Sequence, residues 1–273
     1  MPNYRAIDVV VFPFTPDTKR ETYQHVPVLK QSLVHLGIWD KEWTASQIVA
    51  EMDAAGVEKA LVCAQESCEW RVPPEYIHEL VDQTQGRLLW TAGIDPHDIA
   101  AGVRQLEASV ERGALGGHSY PHWFRLSPDD RVYYPFYSKC VELDVPIQIQ
   151  VGIAYQAGLR NVGRPDAIDR IAVDFPGLRI IGIHIGYPWE REMISVAWKH
   201  PNVYIGADCL HPRDWSQDLV DYVKGAGREK VLWGTNKPVF EFDDSLAGVD
   251  DLGLDDETKR NLLYENVKRV YRL

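Results

Sequence analysis

The sequence predicts a single (β/α)8 barrel, and three observations carry the prediction. The chain has 273 residues, an ordinary length for one α/β barrel. Short apolar runs alternate with amphipathic segments from end to end, giving about eight strand–helix units. Neither a G-x-G-x-x-G turn nor a P-loop is present, which disfavours the doubly wound open sheet as the alternative.

The strand candidates are Ala6–Phe12, Lys59–Cys63, Leu88–Ile94, Leu115–His118, Ile147–Val151, Arg179–His184, Val203–Ala207 and Lys230–Trp233. Most are apolar on both faces, as strands of a parallel sheet buried on both sides should be. Amphipathic segments separate them near Thr44–Ala55, Pro74–Gln85, Ile99–Arg112, Tyr133–Leu143, Arg164–Phe175, Trp189–Lys199 and Trp215–Ala226, and a last helix fits Asp255–Tyr271. Thr44 with Gln47 three residues on reads as a helix start, as does Pro74 in a first turn. One domain over residues 1–273 is expected. Its longest irregular stretch is Pro13–Trp43, which in a barrel would form a lid or wall at the catalytic face.

The formal net charge is −11, with 45% hydrophobic and 25% charged residues. That is a normal globular balance, and a chain this long buries a core without help from disulfides or metals. An acidic surface argues against nucleic acid as a partner, since phosphate contacts need clustered Lys and Arg. Cys63, Cys68, Cys140 and Cys209 form no C-x-x-C pair, so reduced, mostly buried thiols in a cytoplasmic protein are expected. The opening apolar run is too short for a signal peptide. No stretch approaches the roughly 20 apolar residues of a membrane span. A homodimer is compatible with the exposed helices of such a barrel, but no motif specifies it.

Catalytic residues of such barrels sit at the C-terminal ends of strands. Read in order, those ends present Val10 and Phe12; Gln65 and Glu66; Asp95; His118, Tyr120 and His122; Gln148 and Gln150; His184; Asp208 and His211; Asn236 and Lys237. A polar residue closing an apolar strand finds few partners in a core, so a pocket explains it economically. Tyr120, Trp123, Tyr155 and Trp189 are placed to stack on a planar ring. Arg125 and Arg160 are candidates for pairing with a substrate carboxylate.

The run IIGIHIGYPW at 180–189 resembles the sixth-strand His motif of the amidohydrolase-related family. VLWGTNKP at 231–238 is similar to that family's eighth-strand G-[ST]-D-x-P, and PIQIQVG at 146–152 to its fifth-strand motif, where a His usually stands. AID at 6–8 resembles the start of its first-strand I-D-x-H-x-H, and the closing ENVKRVYRL resembles its final segment. The resemblance implies the family's barrel. It places the first-strand metal histidines on Val10 and Phe12, the fifth-strand His on Gln150 and the eighth-strand Asp on Asn236, leaving His184 alone as a ligand type. Zinc needs roughly three strong donors from His, Cys or carboxylate, so no metal or other cofactor is expected.

Acid/base work would then fall to His184, His118 and Asp208. Gln148, Gln150 and Asn236 would cradle a polar group of the substrate, with Tyr120 and Trp189 as ring contacts. The first expectation is a metal-independent hydrolase of lactone-like type, acting on a small cyclic or aromatic carboxylated compound. The alternatives are a lyase, decarboxylase or isomerase using His184, and a non-catalytic binding protein on a degenerate barrel.

Overall fold

The computed structural model describes residues 5–154 and 160–273, with the side chains of residues 160 and 161 left aside. Strands β1 (Ala6–Val11), β2 (Val57–Cys63), β3 (Leu88–Gly93), β4 (Gly117–Ser119), β5 (Ile147–Gln150), β6 (Ile180–Ile183), β7 (Val203–Ala207) and β8 (Val231–Trp233) form one sheet in chain order. Every neighbouring pair is parallel. Just past β8 the sheet closes on itself: Asn236 N–H donates to Val10 O at 2.9 Å, and Phe12 N–H to Lys237 O at 2.8 Å. The expected barrel is therefore the observed one, and each strand lies within about two residues of its sequence-read position.

Ile7, Val9, Leu61, Cys63, Ile181, Ile183 and Leu232 fill the barrel together with Val267, Val270 and Tyr271. The last three lie on the C-terminal helix, which plugs the barrel mouth opposite the strand ends. Arg179, just before β6, ties that helix down by donating from Nε to Val270 O at 2.8 Å. The helix read as Asp255–Tyr271 is continuous but carries a π turn at Asn261–Glu265. A larger cluster joins the outer faces of the strands to the surrounding helices. The Thr44–Gln47 capping box is present, heading Ala45–Ala55.

The stretch 13–43 is more ordered than its irregular reading. It holds helices Pro16–Glu21 and Pro27–His35, joined by a 3-10 turn at Tyr23–His25. Each helix starts with Pro in its first turn, where a missing N–H costs nothing. Thr15 and Thr18 form a reciprocal cap on the first. The sequence reading also passed over helix Phe242–Asp250 after β8. Cys63 and Cys140 are buried, Cys68 is exposed, Cys209 is part-exposed, and all four are free. No helix among the described residues is long and apolar enough to cross a membrane.

Candidate active site

The site begins with a carboxylate that closes the barrel. The β1–β2 register shifts between Asp8 and Val11, which takes the Val10 N–H out of the ladder. Asp8 Oδ1 accepts that N–H at 2.9 Å. Across the seam, Thr235 donates to Asp8 from its N–H, at 3.2 and 3.1 Å to the two oxygens, and from Oγ1 at 2.5 Å. Burial pushes the Asp8 carboxyl up to about 7, against the pull of these donors. Asp8 thus stitches β1 to β8 and sets Phe12 and Asn236 side by side at the rim. Val10 turns into the packed barrel and is buried.

His184 follows β6 with φ +69°, and Ile185 follows it with φ +60°. Left-handed backbone is uncommon for such residues and persists only when neighbours hold it. The hold here is Asp208, whose Oδ1 accepts the His184 N–H at 2.8 Å. Asp208 Oδ2 lies 3.2 Å from His184 Nε2, out of line for a hydrogen bond, so both atoms are buried without a partner. On the other side Gln150 Nε2 lies 3.3 Å from His184 Nδ1, and Gln150 Oε1 is a further buried atom without a partner. Burial, then the nearby His122 and His118, pushes His184 down to about 3. Burial, then Asp8, pushes Asp208 well above the usual carboxylate range. Each group resists its charged form, so the dyad favours states in which one proton cancels the buried negative charge.

A cavity of about 260 Å³ opens over this pair, just below the ~300–1,000 Å³ usual for small-molecule sites. Its polar lining comes from Ser32, Gln65, Tyr120, Gln150, His184, Cys209 and Asn236. Cys209 and Asn236 also take positive φ, +62° and +53°, so consecutive strand ends aim into one space through unusual backbone. Burial, then Asp208, pushes the Cys209 thiol up to about 12. Aromatic walls come from Phe12, Trp70, Tyr120, Trp123 and Tyr187. Gln65 Nε2 donates to Tyr120 Oη at 3.0 Å, and Tyr23 Oη donates to Gln65 Oε1 at 3.3 Å. Leu29, Leu33, Leu36 and Ile38 close the side contributed by the segment after β1, which is the wall expected of it.

Of the residues singled out from the sequence, Tyr120, Gln150, His184 and Asn236 line the cavity, and Asp208 backs His184. His118 and Gln148 lie beneath it. His118 Nδ1 meets Gln148 Oε1 at 2.8 Å, and Gln148 Nε2 donates to Val9 O at 2.7 Å. The His118 ring packs edge-on to Tyr120, and burial pushes it down to about 4. Trp189 stands away from the cavity, with the Arg164 guanidinium 4.9 Å from its ring centre. Glu66 is held by Arg71 and Gln105, His211 sits 3.3 Å from Asp244, and Lys237 pairs with Glu51 and Glu241. Arg125 is exposed. Tyr155 and the Arg160 side chain lie outside the described residues. The leucine wall, Trp70 and Tyr187 were missed. The spacing of Leu29, Leu33 and Leu36 after Pro27 was the signal for the first of these.

At the positions that resemblance ties to metal stand Val10, Phe12, Gln150, His184 and Asn236. Among the described residues no three His, Cys, Asp or Glu side chains converge as a ligand set. One imidazole with two amides does not suit a resident zinc.

Residues 44–273 match the amidohydrolase family model. A 2-keto-4-carboxy-3-hexenedioate hydratase of Sphingobium sp. (strain NBRC 103272 / SYK-6) is 28% identical over 214 residues, covering 64% of this chain and 62% of that protein. The match thus spans less than two thirds of the relative's length. An uncharacterised TIM-barrel protein of Bordetella bronchiseptica superposes with TM-score 0.86 at 20% identity, covering 98% of this chain and 99% of that one. The 5-carboxyvanillate decarboxylase of Novosphingobium aromaticivorans, solved with manganese and 4-hydroxy-3-methoxy-5-nitrobenzoic acid, gives TM-score 0.77 at 15% identity over 99% of this chain and 97% of its own. At these identities the two structures share the fold.

Proposed function

The chain belongs to the amidohydrolase family, and on that premise we propose a metal-independent hydrolase that opens a lactone-like bond in a small cyclic or aromatic compound. One observation carries the reading. The family's metal positions have become Val10, Phe12, Gln150 and Asn236, while His184 is retained, backed by Asp208, at the floor of a partly open cavity. Water that no metal acidifies needs a general base, and a histidine held by a carboxylate is one. With Asp208 ionised, His184 takes a proton from the water that attacks the carbonyl. It returns that proton to the ring oxygen as the ester C–O bond breaks, leaving an alcohol and a carboxylic acid. Between the two steps the charge pair replaces a lone buried carboxylate, which the low-dielectric site disfavours. The side-chain N–H groups of Gln150 and Asn236, rather than their oxygens, would donate to the carbonyl oxygen and stabilise its developing negative charge. Gln150 does so on turning its amide from His184 Nδ1. The aromatic walls hold the ring.

A second reading is favoured by the hydratase relative at 28% identity: a lyase in which the same dyad donates or removes a proton at carbon. The two separate on one experiment. In ¹⁸O-labelled water, hydrolysis of a lactone places solvent oxygen in the carboxyl group of the product, whereas hydration of an unsaturated acid places it on carbon as a hydroxyl. Loss of turnover in His184→Ala ties the reaction to this site. Saturable binding without product from either class of compound would instead mark a binding protein.

A further inference from the structure

We infer that the substrate is amphiphilic, with its reacting polar group on the floor of the cavity and an uncharged aliphatic substituent at the opposite end, under the wall built from residues 27–38. The inference rests on reading this cavity as the substrate site, and it departs from the carboxylated compound expected from sequence by placing an uncharged group under the wall. The floor is polar: His184, Gln150 and Asn236 line it, and Gln150 Oε1 and Asn236 Oδ1 are buried acceptors without a partner. The wall is mainly aliphatic; Ser32 also lines it, with its hydroxyl donating to Val28 O at 2.8 Å. Helix Pro27–His35 sets Leu29 and Leu33 one turn apart on one face, and Leu36 and Ile38 continue the surface past its end.

That wall is packed from behind. Leu29, Leu33 and Ile38 are buried in the main core cluster with Phe14, Tyr23 and Trp43. Trp39 is covered by Lys19 and Lys30, whose ammonium groups sit 4.8 and 5.2 Å from its ring centre. Among the described residues no Arg or Lys lines the cavity. Residues 155–159 read Tyr-Gln-Ala-Gly-Leu and carry no charge. A carboxylate pressed against Leu33 and Leu36 would lose its hydration with no ion to replace it. An alkyl group there would gain what burial of apolar surface provides.

The test is binding of γ-butyrolactones carrying hydrogen, methyl, propyl or carboxylate at the γ carbon, read by fluorescence of Trp70 and Trp123. The dissociation constant is expected to fall about fourfold for each added methylene. The carboxylate compound is expected to bind at least about tenfold more weakly than the methyl one. Leu33→Ala should flatten the alkyl series, and Leu36→Ala serves the same purpose if the first variant folds poorly. A flat series in the wild type, or tightest binding by the carboxylate, overturns the inference. If Arg160→Gln then removes the carboxylate preference, Arg160 is its source. Graded alkyl binding without turnover supports the wall and counts against the hydrolytic reading; turnover with carboxylate preference does the reverse.

Discussion

His118 offers a quantitative test of how the floor beneath the cavity is built. It is 1% exposed, and burial takes it from the ordinary 6.5 down to about 4. A folded value below the unfolded one means that the unfolded chain binds the extra proton. Stability from this residue is therefore complete above pH 6.5 and is lost as the pH falls towards 4. Between pH 7 and pH 5 the loss is about 2 kcal/mol. His118→Gln abolishes that contribution while leaving Asp8 and Asp208 to titrate in both proteins, and His184, which His118 helps to hold down, is held well below pH 5 chiefly by its own burial. Urea unfolding of wild type and variant at the two pH values gives the comparison. The wild type's advantage over His118→Gln should shrink by about 2 kcal/mol on going to pH 5. A gap unchanged with pH would refute the buried neutral imidazole, and with it the placement of His118 under Tyr120.

Asp8 should run the other way. Its folded value is raised to about 7, so the fold gains stability as pH falls from above 7 towards the unfolded value; relative to Asp8→Asn, the wild type should gain about 3 kcal/mol from pH 8 to pH 5 in the same assay. Asp208→Asn should lower kcat/KM by at least about 100-fold with little change in melting temperature, since it removes the charge that receives the proton on His184 and keeps an acceptor for its N–H. The wild-type kcat/KM should rise with pH if the dyad acts as a base, because burial holds its proton to higher pH; a profile falling with pH would mark the dyad as an acid, as in a lyase that donates a proton at carbon. Gly152 takes φ +90°, and a Cβ there would meet Tyr187 O at 2.5 Å. Gly152→Ala should therefore cost about 1–3 kcal/mol in thermal unfolding, and an unchanged melting temperature would contradict the geometry of the cavity rim.

The barrel was legible because strands buried on both faces announce themselves as short apolar runs, as at Ile147–Gln150 and Ile180–Ile183. Their polar closing residues, Gln150 and His184, pointed to the cavity for the same reason. Sequence position alone could not separate Gln150, which lines the cavity, from Gln148, which bonds to Val9 and His118 below it. Both belong to one short strand, and the depth at which each side chain sits is set by the barrel's tilt and stagger. Trp189 follows the His184 motif closely in sequence, yet the turn after β6 carries it to Arg164. The wall was hidden because Pro16 and Pro27 read as loop markers when each in fact opens a helix. Helix Phe242–Asp250 was hidden by its short length and by Gly248, which weakens a helical pattern, although Asp243 and Asp244 in its first turn were a start signal.

The central claim is that this family member works through His184 and Asp208 without a resident metal. Elemental analysis of the purified protein, before and after dialysis against zinc and manganese, tests it most directly when paired with turnover of the same samples. The account expects far less than one ion per chain and activity that neither metal nor chelator changes. One tightly held ion per chain, lost together with activity in His184→Ala or on chelation, would contradict it.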